Sequence, residues 1–160
     1  MKQKTHYSEA LAYLRDYCLR HGRAMHFSHG DIFEAEGAAA SRFGYIESGS
    51  IHFLVRNYEG GESTVESVAA GDLVGNYPYC LDGDAAPTSL VAVVPSAVYV
   101  VDGADLERHF RQSQAAERMG RDFLRPFGGK RQAERIAYRL GQVKSHIYSH
   151  YYNKGTAKKT

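Results

Sequence analysis

The chain of 160 residues holds only two cysteines, Cys18 and Cys80, too few and too far apart for a disulfide framework or a metal cluster. Nowhere does it approach the run of about 20 apolar residues that a membrane-spanning helix needs. Its first residues, MKQKTHYSEALAYLRDY, carry lysines with no apolar stretch behind them, which speaks against a secretory signal. Enzyme signatures are missing too: there is no G-x-S-x-G elbow, no Walker loop, no dinucleotide-binding glycine fingerprint behind a strand and no H-E-x-x-H. The expectation is a cytoplasmic, non-enzymatic chain with no membrane partner and no cofactor.

What is present is the composition of an ordinary globular domain, 43% hydrophobic and 24% charged, in a chain long enough to bury a core without staples. The net charge of +2 conceals a sharp split. Before Arg108 there are 7 Lys+Arg against 15 Asp+Glu, and from Arg108 onward 13 against 3. An acidic body therefore carries a basic end. That end is neutralised by the body or by a second copy, or else it meets nucleic acid.

Residues 8–20 carry a helical period through Leu11, Leu14, Tyr17 and Cys18, with Ser8 as the expected N-cap and Gly22 as a left-handed stop. From 23 to 102 the texture changes. Ten of the 16 glycines fall between Gly22 and Gly83. They separate short β-branched and aromatic runs: MHFSH, DIFEAE, RFGYIES, SIHFLVRNY, STVESVA, TSLVAVV and AVYVV. Short strands divided by turn residues predict a mainly β fold, an antiparallel sandwich or barrel with flanking helices. SIHFLVRNY and STVESVA, joined through Glu59-Gly60-Gly61-Glu62, form the clearest hairpin. Residues 105–124 read as one helix, and Pro126, Gly128 and Gly129 must interrupt it. A basic helix over 130–152 then carries one apolar stripe, Ile136, Leu140, Val143, Ile147 and Tyr151. The predicted organisation is an N-terminal helix (1–22), a β roll (23–102), C-terminal helices for dimerisation or packing (103–153) and a basic tail (154–160).

Eight histidines raise the question of a metal. His26 and His29 flank a turn and His52 stands alone on its strand, so the one-residue pairing of a cupin-type metal site is missing and no metal ligands are predicted. A cupin-like metalloenzyme remains an alternative on strand texture alone.

The segments HGDIFEAEG (29–37), YIESGSIHFLV (45–55), the turn Glu59-Gly60-Gly61 and AGDLVGN (70–76) follow one another in an order that resembles the ligand-binding domain of the Crp/Fnr family of bacterial transcription regulators, over about 23–124. The resemblance implies a cyclic-nucleotide-binding jelly roll (an antiparallel double-stranded β-helix) followed by a long C-terminal helical segment. In that family a strand runs into a short helix whose start holds a phosphate. A glutamate after the glycine holds a ribose hydroxyl, and an arginine pairs with the phosphate. Here the glycine is Gly75, the glutamate position is Asn76 and the arginine position falls at Pro87. The binding cassette is therefore expected to be degenerate and to hold cyclic AMP poorly, the pocket being filled by its own side chains or taking an unknown nucleotide-like effector. Val74, Gly75, Asn76, Tyr77, Thr88 and Ser89 are the candidate lining residues. Iron–sulfur sensing lacks its cysteines.

Family members continue into a winged helix-turn-helix, whereas only one helix follows the Pro-Gly-Gly break here, so sensing and a homodimer are expected and DNA reading is not. Leu106, Phe110, Met119 and Phe123 join the stripe residues as candidates for dimer or core packing. Direct nucleic-acid binding is the alternative. Arg131, Arg135, Arg139, Lys144 and Lys158-Lys159 would meet phosphates, and Tyr138, Tyr148, Tyr151 and Tyr152 would stack.

Overall fold

The computed structural model describes residues 2–57 and 59–124, with side chains from His6 onward. The basic helix expected over 130–152, its stripe, and Arg131, Arg135, Arg139 and Lys144 lie outside the described residues.

The chain opens with α1 (Lys2–His21). Ala10, Leu14 and Cys18, spaced by four, form its fully buried face. Two details differ from the sequence reading. Ser8 lies inside the helix rather than capping it, because the helix extends back to where Tyr7 stacks on Phe123 at 5.9 Å. Gly22 does end the helix, its N–H reaching the Cys18 carbonyl at 2.8 Å, but without a left-handed backbone. A glycine is needed there because a Cβ would strike that same carbonyl oxygen.

Eight strands follow: β1 (Arg23–Phe27), β2 (Ile32–Glu34), β3 (Arg42–Ser48), β4 (Ser50–Arg56), β5 (Glu62–Ala69), β6 (Leu73–Gly75), β7 (Ser89–Ala92) and β8 (Ser96–Asp102), with the four-residue α2 (Tyr79–Asp82) between β6 and β7. They make two antiparallel sheets, ordered β1-β8-β3-β6 and β2-β7-β4-β5, which is the jelly roll the sequence implies. The β4–β5 hairpin pairs from Ser50 opposite Ala69 to Arg56 opposite Glu62, with its register shifting between Phe53 and Leu54. Its turn is closed by the Asn57 side chain, which accepts from the Glu59 and Gly61 N–H groups. Gly49, between β3 and β4, sits at φ 101° with the Ser96 side chain where its Cβ would be.

After β8 the chain forms α3 (Gly103–Phe110) and α4 (Gln114–Leu124) rather than one helix over 105–124. Ser113 explains the break: its hydroxyl and carbonyl take the Ala116 and Glu117 N–H groups and start a second helix. None of the described helices is long and apolar enough to cross a membrane.

The buried residues divide into two clusters. Phe33, Ile46, Ile51, Phe53, Val74, Leu90 and Val98 fill the space between the sheets. A second cluster packs α1, α3 and α4 on the outer face of the first sheet, through Leu14, Phe43, Tyr77, Leu106, Phe110, Met119 and Phe123. Leu106, Phe110, Met119 and Phe123 therefore serve this core within one chain.

Candidate functional site

The two clusters meet at residues 74–77, where β6 turns into α2. Val74 faces the space between the sheets, and Tyr77 faces the helices. Gly75 has φ 153°, and a Cβ there would fall 2.9 Å from the Arg42 carbonyl and from the Phe43 ring, so β6 lies against β3 only because this side chain is missing.

Asn76 follows, 3% exposed, with both N–H groups and the oxygen of its side-chain amide hydrogen-bonded. Its Nδ2 donates to Glu34 Oε1 at 2.9 Å and to the Thr88 carbonyl at 3.1 Å. Its Oδ1 accepts from the Thr88 hydroxyl at 2.6 Å. Glu34, only 7% exposed at the end of β2, accepts through Oε2 from the backbone N–H groups of Ser41 at 2.7 Å and Arg42 at 3.1 Å. Three donors thus hold a buried carboxylate, which is how such a charge is kept without a cation. No ion pair to Glu34 exists among the described residues.

Backbone pairing zips the loop 37–40 over this cluster. Gly37 N–H reaches the Ala86 carbonyl, Ala86 N–H the Ala38 carbonyl and Ala40 N–H the Asp84 carbonyl, at 2.7–2.8 Å. Ser89 supports the same loop, its hydroxyl accepting from Glu36 N–H at 2.8 Å. Two donors at the start of α2 are committed as well: Cys80 N–H to the Asn76 carbonyl at 2.9 Å and Leu81 N–H to that of Pro78 at 3.0 Å. Pro78 itself has no N–H to offer.

Of the six residues singled out in the sequence, Asn76 and Thr88 share one hydrogen-bonded cluster, with Ser89 beside it. Val74 is packing and Gly75 is clearance. Tyr77 turns the other way, donating to the Gly120 carbonyl of α4 at 2.7 Å and packing edge-on to Phe123 at 5.0 Å. Burial pushes its phenol well above the ordinary value. Pro87 brings no charge. The arginine in this neighbourhood is Arg42, whose Nη1 donates to the Phe33 carbonyl at 3.2 Å with the guanidinium 5.8 Å from the Phe33 ring centre. Glu34 and Arg42 escaped the sequence reading. The one signal for Glu34 was its place beside Ile32 and Phe33 in so short a strand.

A matching family decides what this arrangement descends from: the cyclic nucleotide-binding domain, over residues 24–113, more than half of the chain. The chain belongs to the cyclic nucleotide-binding domain family. No curated protein matches it. Solved structures share the fold: the catabolite activator protein of Thermus thermophilus (18% identity, TM-score 0.59, 86% of this chain and 58% of that one), the c-di-GMP-responsive regulator CLP of Xanthomonas campestris (17%, 0.56, 91% and 63%) and FixK2 of Bradyrhizobium japonicum (11%, 0.52, 82% and 55%). This cyclic nucleotide-binding domain thus spans 55–63% of the length of those three chains. His26, His29 and His52 gather no metal site, and among the described residues no group of three histidine, cysteine, aspartate or glutamate side chains is placed to hold an ion.

Proposed function

We propose that this is the sensing domain of a Crp/Fnr-type regulator whose phosphate cassette has closed on itself, so that cyclic AMP is not its effector. The observation that supports this reading is the Glu34–Asn76–Thr88 cluster. In the family's pattern, the residue after the cassette glycine offers a carboxylate to a ribose hydroxyl. Here Asn76 spends its whole amide on Thr88 and Glu34. A nucleotide would have to break those bonds and leave buried groups unpaired. Its phosphate would also meet the Glu34 carboxylate with no arginine at position 87 to offset it. Losing one partner of a desolvated charge pair costs about 2–5 kcal/mol, roughly a thirtyfold to several-thousandfold weakening.

The regulatory role follows from the family rather than from the cluster. The effector, if one is used, is a molecule other than a cyclic mononucleotide, or a protein surface. Isothermal titration with cyclic AMP and cyclic GMP tests the reading: the expected dissociation constant is weaker than about 1 mM. Saturable heat in the micromolar range would contradict it.

A further inference from the structure

Away from the cassette, the described residues hold a second polar cluster, at the seam between α1 and α3. The half-buried His109 ring of α3 faces a stripe of α1 spaced by four, Tyr13, Tyr17 and His21. Tyr13 Oη lies 2.6 Å from His109 Nε2. The Tyr17 ring packs against His109 at 4.7 Å and against His21 at 4.6 Å. The other end of α1 has a separate anchor, Tyr7 stacked on Phe123 of α4 at 5.9 Å.

Charged neighbours are few. On α3 itself, Asp105 and Arg108 pair with each other and act on Tyr17. The remaining elements meet α3 elsewhere: Cys80 of α2 against Gly103, Gly120 of α4 against Phe110, and β8 at Asp102, which caps Ala104. Among the described residues, His21 is the charged group whose field acts on His109.

We propose that this cluster is a proton-operated latch: a proton taken up by His109 loosens residues 13–21 of α1 from α3 while the β roll keeps its fold. The neutral ring shares one hydrogen bond with Tyr13, whichever of the two donates. A proton adds a second N–H and a positive charge to a ring packed against Tyr17, with His21 beside the same tyrosine opposing that charge. Burial, and then His21, hold the His109 pKa below its ordinary 6.5, so the undocked helix takes the proton more readily than the docked one. Ala10, Leu14 and Cys18 stay fully buried beneath the stripe, and Tyr7 keeps its anchor, so α1 loosens at one end rather than leaving. The latch uses no cassette residue and stands apart from the reading of that site.

Amide hydrogen exchange of the full chain, corrected for the intrinsic effect of pH, tests it at about pH 7.5 and about pH 5.5. Residues 13–21 are expected to exchange about twofold faster or more at the lower pH, with β3, β4 and β8 unchanged. Equal protection at both pH values overturns the proposal. Acceleration spread equally over the strands overturns it too, since that is general unfolding. Two variants assign the proton. H109Q leaves Tyr13 a polar partner that does not titrate and should keep residues 13–21 protected at both pH values; acceleration as in the natural chain would contradict the latch. H21Q removes the opposing charge and spares the Tyr13–His109 contact, so it should shrink the response without abolishing it. Should H109Q fail to dock α1 at pH 7.5, H21Q decides, and an undiminished response there counts against the latch.

Discussion

At the scale of single residues, the molecule's least expected feature is a carboxylate sealed between two sheets. Glu34 survives there because Ser41 N–H, Arg42 N–H and the Asn76 amide all point at it. Removing the acceptor orphans those donors, whereas removing one neutral donor forfeits a single bond. Glu34→Ala is therefore expected to cost about 2–3 kcal/mol and Thr88→Val about 1 kcal/mol, read as shifts in urea denaturation midpoint at constant slope. Two near-neutral variants would mean the cluster is hydrated rather than closed. Asn76 and Thr88 were legible in the sequence because the glycine pattern marks where a cassette lies. Glu34 was not, since 42 residues separate it from Asn76 and only the sheet order brings β2 beside the β6–β7 turn.

At the scale of elements, the strands announced themselves where a turn glycine bounded a run of alternating or β-branched residues. RFGYIES is β3 to the residue, and β4 and β5 pair as expected. Elements shorter than a pattern period could not: β6 has three residues, all buried, and reads only as part of a turn. The polar run 111–118 looked like the wet face of one helix, when Ser113 in fact restarts the helix there. How α1 docks was likewise hidden. Tyr13 meets His109 of α3 at 2.6 Å, and Tyr17 packs between the His109 and His21 rings, at 4.7 and 4.6 Å. Burial first, and then the neighbouring His21, lower the His109 pKa from its ordinary 6.5. The unfolded chain thus binds this proton more readily than the folded one. The contribution is fully present above 6.5 and declines as pH falls toward the lowered value. The denaturation midpoint should therefore drop between about pH 7 and pH 5.5, and His109→Gln should flatten that drop. An unchanged pH slope in the variant would show that other groups carry it.

At the scale of the whole molecule, two cores share one hinge of sequence. Residues 74–77 hand the chain from the space between the sheets to the helical layer, with Asn76 bonded into the first and Tyr77 into the second. The fold was readable because glycine turns are dictated by backbone sterics, which tolerate little substitution. The state of the site was less readable. A missing arginine and glutamate can be seen in the sequence, but which groups close the gap depends on contacts that no spacing encodes. The most direct measurement is a nuclear magnetic resonance titration that follows the Asn76 side-chain amide and the Thr88 amide as cyclic AMP is added to about 1 mM. Both are expected to stay in place, because their partners belong to the protein. A saturable shift of both at micromolar nucleotide would show an open, functioning cassette and contradict the account.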